Sequence, residues 1–445
     1  MKKDLTVGKP ISVLISFALP MLVASIFQQI YNVADSVVVG QFVSSEALAA
    51  VGSSFSIMFL IISIGIGFGN GCSVVISQFL GAREDQKAIT AIWTTLITFL
   101  ILGLIVSVVG QFYIPVMLDL MQMPISLTTY ASDYLTYIFL GAVFVFLYNA
   151  NNAIFISLGD SKSSMIFLII ASLINIVLDL YFVIVLNWGV SGVAIATLIA
   201  QGFSAFLSFV VLYSRIKSHY QISVPIFDFK ILRTMFRVGI PSLIQQSVIS
   251  FSILLVQGLI NSFQDVNLIA GITSGQKIDS MAMMPMFSLS NALSTYTAQN
   301  IGAKKFDRII EGYYKVLMLA VAIGCFISLI IFIFGNFLIG MFVNSEAPIA
   351  VYNYGVEYLR VVSVFYFLMS CMVMTTSVLR GSGDMFSSTI GTLSNLGVRV
   401  IAAYLLSSIF GYVGIFYSIP LGWLIGSLFS IIMFKRGNWR KKAVV

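Results

Sequence analysis

Gln78-Phe-Leu-Gly-Ala-Arg83 and Gln299-Asn-Ile-Gly-Ala-Lys304 are two versions of one motif, 221 positions apart in a chain of 445 residues. Leu19-Pro20 and Ile240-Pro241 keep the same offset. Unrelated apolar helices can share one such match by chance, but matches in the same order at a constant spacing indicate a duplication. We therefore expect two halves with the same fold.

Composition places both halves in a membrane. Hydrophobic residues make up 59% of the chain and charged residues 9%, whereas a soluble domain carries about 25% charged residues. Long apolar runs predict helices and not a transmembrane barrel. At roughly 20 residues per span the length fits twelve spans. The predicted spans are 12–38, 52–78, 90–113, 131–156, 165–186, 190–213, 236–261, 273–299, 313–341, 354–378, 387–410 and 412–434.

Each half holds six spans, an even number, so both halves insert with the same orientation. Repeats of this kind occur in transporters that rock two bundles around a central site. The predicted fold is therefore an all-α membrane protein of two pseudo-symmetric six-helix lobes. The lobes are residues 1–213 and 236–434, with a connecting loop at 214–235 and a basic tail at 435–445.

Basic residues concentrate on one side of the predicted spans. They precede span 1, follow spans 2, 4, 8 and 10, and occupy the central loop and the tail, whereas the opposite loops carry no Lys or Arg. The acidic residues of those opposite loops are Glu46, Asp119, Asp265 and Glu346. For this multi-pass plasma-membrane protein the positive-inside rule predicts that both termini are cytoplasmic. We expect no cleavable signal peptide, because the basic start Met1-Lys-Lys leads into an apolar run from Ile11 that we interpret as the first span. This topology explains the net charge of +7 without nucleic-acid binding.

The sequence lacks signals of an enzyme or of a bound cofactor. Cys72, Cys325 and Cys371 lie far apart within apolar runs, which is typical of packing residues and not of a metal site. The single histidine, His219, lies in the central polar loop, and neither His-Glu-x-x-His nor Gly-x-Ser-x-Gly occurs. We expect no enzymatic activity and no cofactor.

Two carboxylates interrupt the apolar runs of the N-terminal half. Asp179 follows Asn175 by about one helical turn, so both point to one face of span 5, and Asp35 lies inside span 1. A carboxylate at membrane depth costs roughly 2.5–3.5 kcal/mol on insertion scales, so it needs a partner, a proton or a metal ion. With Thr197 of span 6, these groups offer oxygen ligands that suit a hard cation such as Na⁺. The carboxylates could instead bind protons, because burial and a close like charge both disfavour their ionised form.

Further polar residues precede Asp35 in span 1 or lie in span 4. They are Gln28, Tyr31, Tyr134, Asn149 and Asn152. Two interpretations are open, since such residues either form hydrogen bonds between helices or line a wet substrate pocket. Pro20 removes one helical hydrogen bond and predicts a bend in span 1, which is either static or a hinge.

The C-terminal half lacks the acidic cluster. At the offset of 221, Val256 corresponds to Asp35. Gly159-Asp-Ser-Lys-Ser-Ser164 matches Gly383-Asp-Met-Phe-Ser-Ser388 at an offset of 224, which aligns Asn175 with Arg399 and Asp179 with Ala403. The acidic pair is therefore not part of the duplicated scaffold.

The C-terminal half has charges of its own at membrane depth, namely Lys277, Asp279 and Arg399. A structural pairing of Asp279 with Arg399 is one interpretation of them. Met281 and Met284 of span 8 either pack against neighbouring helices or soften a pocket for varied apolar ligands.

Together these features resemble the multidrug and toxic compound extrusion (MATE) transporters. Asp35 with Pro20 before it, the Asn175-x-x-x-Asp179 pair and Thr197 look like the N-lobe cation site of that family. The Gln-x-x-Gly-Ala-Arg/Lys repeat is similar to its loop signature, and the resemblance covers nearly the whole chain. It implies a cation-binding set, a group of neighbouring pocket residues and a bending residue. These are Asp35, Asn175, Asp179 and Thr197; Tyr134, Asn149 and Asn152; and Pro20.

One branch of that family carries acidic residues in spans 7 and 10 that form a C-lobe cation site. The corresponding stretches here, Gln245-Gln-Ser-Val-Ile-Ser250 and Ser370-Cys-Met-Val-Met374, contain no carboxylate. The chain looks instead like the branch that resembles DNA-damage-inducible protein F. The departure argues against ion coupling through the C-terminal lobe.

The resemblance implies a monomeric secondary antiporter that exports amphipathic or cationic organic compounds in exchange for H⁺ or Na⁺. A flippase for lipid-linked oligosaccharide precursors is the alternative. Such proteins tend to line their cavity with several cationic residues, and this chain has Lys277 and Arg399 at membrane depth. A channel is disfavoured, since the sequence has no repeated ring of filter residues.

Overall fold

The computed structural model of this chain describes residues 4–121, 123–219, 224–343 and 347–444. Lys2, Lys3 and Glu346, which entered the topology prediction, lie outside these ranges, and so does part of the predicted central loop. The α-helices of the described residues are α1 (Pro10–Phe42), α2 (Ser45–Gly81), α3 (Asp85–Leu120), α4 (Ile125–Ser157), α5 (Ser161–Leu180), α6 (Gly189–His219), α7 (Phe229–Asn261), α8 (Val266–Gly302), α9 (Phe306–Gly340), α10 (Ile349–Ser363), α11 (Tyr366–Ser382), α12 (Met385–Phe410) and α13 (Tyr412–Lys435). A π-helical turn, Tyr181–Val185, extends α5, and a 3₁₀ turn, Asn438–Lys441, follows α13.

These helices account for the predicted membrane spans. Among the described residues, ten are long and apolar enough to cross a membrane, and α10 with α11 makes an eleventh crossing. Helix α8 is as long as α2, at 37 residues, but it is more polar and carries Lys277 and Asp279. The all-α membrane fold expected from the sequence is confirmed, and α8 coincides with predicted span 8.

Predicted span 10 is not one straight helix. Helix α10 ends at Ser363 and α11 begins at Tyr366, and the two are bent by 53°. The break contains neither proline nor glycine. Tyr358 before it and Tyr366 after it donate to the same carboxylate, Asp279 of α8, at 3.3 and 2.6 Å. In a straight helix these tyrosines would be separated by about 12 Å of rise, so the bend turns both toward one acceptor.

The duplicated loop motif ends a helix in the same way in both halves. Arg83 and Lys304 have left-handed backbones, with φ of 60° and 57°. Their N–H groups donate to Leu80 and Ile301, at 3.3 and 2.9 Å. A left-handed residue just past the last turn is a common way to stop a helix. The motif therefore recurs because each half needs the same turn between its second and third helices.

The described chain divides into two compact units. Leu19–Leu243 make up most of the N-terminal unit, and Leu5–Ala18 with Ile244–Val445 make up the C-terminal unit. The changes of unit fall inside α1 and α7, within three residues of Pro20 and Pro241. Both helices continue through their prolines. The lobe limits at 213 and 236 are based instead on the loop that connects α6 with α7, and they remain a prediction.

Close helix contacts in the N-terminal unit depend on glycine. A Cβ atom added to Gly71 of α2 would lie 2.5 Å from the Cα atom of Gly239 in α7. Helix α2 also packs against α3 and α4, α4 packs against α6, and α6 packs against α5. This packing places α5 and α6, which carry three of the predicted cation residues, beside α4.

Candidate cation site of the N-terminal unit

The predicted cation residues of spans 1, 5 and 6 come together in the N-terminal unit. On α5, Asn175 is 1% exposed and Asp179 is fully buried. The side-chain nitrogen of Asn175 lies 2.9 Å from Oδ1 of Asp35 on α1 and 3.0 Å from Oδ2 of Asp179. Its oxygen accepts from the backbone N–H and the hydroxyl of Thr197 on α6, at 3.1 and 3.2 Å. This amide orientation satisfies both ends, whereas the opposite one would point the oxygen at two carboxylates.

The local course of α5 sets this geometry. Asn175 and Asp179 are four residues apart and therefore share one helix face. The side chain of Asp160 caps the start of α5 by accepting from the Ser163 N–H at 3.0 Å. Two residues after Asp179 the helix widens into the π-helical turn Tyr181–Val185. Such turns often occur at functional sites, and the sequence carries no signal that predicted this one.

The electrostatics of the site favour a bound positive charge. Two carboxylates meet one amide, and the side chains of Asp35 and Asp179 lie within hydrogen-bonding reach of each other. A carboxylate pair removed from water becomes stable when a proton or a cation offsets its charge. Carboxylate, amide and hydroxyl oxygens are ligands that a hard cation such as Na⁺ prefers. The donor set can therefore take up either Na⁺ or a proton.

Two tyrosines lie beside the carboxylates. Tyr31 of α1 is close to Asp35 and Thr197. Tyr134 of α4 is 5% exposed, and its hydroxyl contacts the sulfur of Met58 at 3.5 Å. Both rings lie within electrostatic range of Asp35 and Asp179. These two members of the predicted pocket thus belong to the surroundings of the cation site.

Asn149 and Asn152, also predicted for the pocket, are engaged elsewhere. Asn149 donates to the Val145 carbonyl of its own helix at 2.8 Å. Asn152 accepts a hydrogen bond from the hydroxyl of Ser164 and so joins α4 to α5. The Asn152 bond serves helix packing, and a place of either amide in the substrate pocket remains a prediction.

A cavity in the N-terminal unit adjoins Asn175 and Thr197. The cavity is open on one side, and its empty space is about 290 Å³ when the solvent at its mouth is counted. Gln28 and Tyr31 line it, as do three polar residues that the sequence interpretation passed over, namely Tyr148, Ser172 and Gln201. Gln201 lies one helical turn after Thr197 within an apolar span, and that position was the available signal.

The charged residues predicted for the C-terminal half form a separate group. Asp279 is 9% exposed and accepts hydrogen bonds from Tyr358 and Tyr366. Arg399 of α12 acts on Asp279 electrostatically, but among the described residues no ion pair within 4.0 Å joins them. The Nε of Arg399 is buried without a partner. Lys277 is exposed on α8, with Met281 exposed and Met284 half-buried one and two turns further along.

Comparison with known proteins identifies the family. The sequence profile of the MatE family matches residues 20–181 and matches again at 241–405. The chain belongs to the MATE family of transporters. The double match confirms the duplication predicted from the repeated motifs. The chain is thus a multi-pass membrane transporter and not an enzyme. Its place in the branch resembling DNA-damage-inducible protein F stays a prediction.

Relatives match this MATE transporter over nearly its full length. The probable multidrug resistance protein YoeA of Bacillus subtilis (strain 168) is 27% identical, over 96% of this chain and 94% of its own. The probable multidrug resistance protein YpnP of the same organism is also 27% identical, over 98% and 97%. The solved structure of a multidrug resistance MATE family transporter of the MOP superfamily, in its outward-facing conformation, covers 99% of both chains at 25% identity with a TM-score of 0.92.

Proposed function

We propose that this chain exports amphipathic, cationic organic compounds in exchange for H⁺ or Na⁺. Asp35, Asn175, Asp179 and Thr197 form the coupling site in this proposal. One observation carries it: two carboxylates from different helices meet at a single amide, within hydrogen-bonding reach of each other. The family and the names of the relatives support multidrug export as the transport activity.

The proposed cycle uses neutralisation of the carboxylate pair as its switch. A cation that arrives from outside offsets the charges of Asp35 and Asp179 and removes their repulsion. Helix α1 then bends near Pro20, the substrate pocket shrinks, and the drug is released outward. A ligand shifts such an equilibrium only by its differential affinity for the two states, so the cation must bind the bent state more tightly.

The test is transport by purified protein in proteoliposomes. Efflux of a fluorescent cationic drug is measured under Na⁺ and H⁺ gradients imposed separately. We expect Asp35→Asn to lower gradient-driven efflux at least tenfold, roughly 1.4 kcal/mol of lost coupling. Asp119→Asn, an exposed position near the end of α3, is the matched control and should keep the wild-type rate. Wild-type efflux by Asp35→Asn would show that this carboxylate is not the coupling group.

A flippase activity toward lipid-linked oligosaccharide precursors is the second candidate. The exposed Lys277 of α8 favours it, because an exposed cation at membrane depth lines an aqueous path or meets an anionic group. Accumulation of a lipid-linked precursor in cells that lack the protein, with normal drug efflux, would favour the flippase over the antiporter.

A further inference from the structure

The cavity beside Asn175 extends to one side of the carboxylates only. Along α5 its lining runs back from Asn175 to Leu168, seven residues or about 10 Å of rise. Along α6, which returns in the opposite direction, the lining runs forward from Thr197 to Gln201, and on α1 it includes Gln28, seven residues before Asp35. On all three helices, the lining residues therefore lie on the same side of the carboxylates.

That direction leads to the side predicted to be cytoplasmic. It points to the start of α5, beside Lys162, and to the end of α6, which carries Arg215 and Lys217. These residues belong to the basic side that the positive-inside rule assigns to the cytoplasm.

The lining has unused hydrogen-bonding capacity. Oε1 of Gln201 is buried without a partner, although an unsatisfied amide at membrane depth is costly. The hydroxyl of Ser172 donates back to the Leu168 carbonyl at 2.9 Å, so its lone pairs remain available to accept. A cavity with several polar groups and space for a water molecule holds water. Water or a cation in the cavity would supply the missing partner of Gln201.

We infer that this cavity is a hydrated station for the coupling ion, a monovalent cation or a hydrated proton, between the carboxylates and the cytoplasmic side. Gln201 and Ser172 contact the passing ion or its water through their oxygens, which suit a hard cation. The ion then leaves through the interior of the N-terminal unit. The inference rests on the proposed function, since it requires ion-driven transport.

The two faces of the membrane give the inference its test. In proteoliposomes with known protein orientation, drug efflux is measured while the ion concentration is varied on one side at a time. In the wild type, ion on the cytoplasmic side inhibits by rebinding. We expect Gln201→Leu to raise the concentration needed for this inhibition roughly tenfold, while the apparent affinity on the outer side stays within about twofold. Ser172→Ala should act in the same direction with a smaller shift.

The outcomes separate the inference from the proposed function. Gln111→Leu, which removes a glutamine of the same unit outside the cavity, is the control and should shift neither side. If Gln201→Leu and Ser172→Ala shift both sides equally, or neither, the inference is wrong while ion coupling stands. If wild-type efflux depends on neither ion gradient, the proposed function is wrong, and the inference that rests on it is wrong as well.

Discussion

Helices α5 and α12 occupy corresponding positions in the two halves, and they differ in the polar residue that each carries at membrane depth. Both begin with an aspartate cap, in which Asp160 accepts from Ser163 and Asp384 accepts from Ser387. Fifteen residues after the first cap stands Asn175, the amide that meets two carboxylates. The same distance after the second cap stands Arg399. The duplication thus kept the helix start and changed the buried polar position.

The halves also draw their carboxylates from different helices. Met58 of α2 contacts Tyr134, whereas the corresponding position of α8 is Asp279, which contacts the corresponding Tyr358. The C-terminal unit therefore has a carboxylate already held by tyrosine hydroxyls and influenced by an arginine, a permanent positive charge. In the N-terminal unit, the described residues place no basic side chain in an ion pair with Asp35 or Asp179. This difference is why the proposed function assigns the coupling ion to the N-terminal unit and not to the C-terminal unit.

The most direct attempt to break this comparison is to neutralise each carboxylate in turn. We expect Asp179→Asn to lower ion-driven efflux at least tenfold, because the buried pair loses the charge that binds the ion. Asp279→Asn should keep the ion dependence and cost about 1–3 kcal/mol of stability, since two tyrosine hydroxyls lose a charged acceptor. Drug efflux and thermal unfolding of both variants provide the measurements. Lost ion dependence in a stable Asp279→Asn variant would bring the C-terminal unit into the coupling.

A second comparison concerns how closely the helices approach in each unit. Gly71 of the N-terminal unit corresponds to Ala292 and Gly239 to Ala18, and both alanines are buried in the C-terminal unit. Gly71→Ala would set a Cβ atom 2.5 Å from the Gly239 Cα atom, and we expect a loss of about 1–3 kcal/mol from the forced backbone shift.

Gly52→Ala on the same helix is the matched control for that change. A Cβ atom there meets nothing within 4 Å, so alanine should be neutral or stabilise α2 by up to about 1 kcal/mol. Thermal unfolding of the two variants is the measurement. Equal melting temperatures would mean that α2 and α7 separate without penalty.

The smallest expected effect distinguishes the two helix caps. Burial opposes ionisation of Asp160, but hydrogen bonds from Ser163 and the charge of Arg215 outweigh it and hold the pKa of Asp160 below its ordinary value. We expect Asp160→Ala to cost about 1–2 kcal/mol at neutral pH, from the lost cap and ion pair. Asp384→Ala should cost about 1 kcal/mol, because it loses the cap without an arginine partner.

The contribution of the Asp160 cap to stability should also depend on pH. A carboxylate with a lowered folded-state pKa contributes stability that is complete above its unfolded pKa of about 3.9 and is lost as the pH falls through the lower folded value. The melting-temperature difference between wild type and Asp160→Ala should therefore shrink below about pH 4. A difference that grows in acid would contradict the ion pair with Arg215.

Local patterns were enough to predict much of this molecule. Apolar runs gave the helices, the repeated motifs gave the duplication, and the cost of a buried charge singled out Asp35 and Asp179. The bend before Tyr366 could not be predicted in this way, because its two tyrosines converge on Asp279, about 80 residues away along the chain. The role of Gln201 was missed for a similar reason, since its unpartnered oxygen becomes evident only when α1, α5 and α6 surround the cavity.

The changes of unit inside α1 and α7 have a consequence for biosynthesis. The N-terminal unit includes α7 as far as Leu243, so it is incomplete until the ribosome has passed the connecting loop. The C-terminal unit includes Leu5–Ala18, which are synthesised before the helices of the unit that they join. A gene cut between α6 and α7 would therefore encode two fragments, each lacking a helical segment that the other carries.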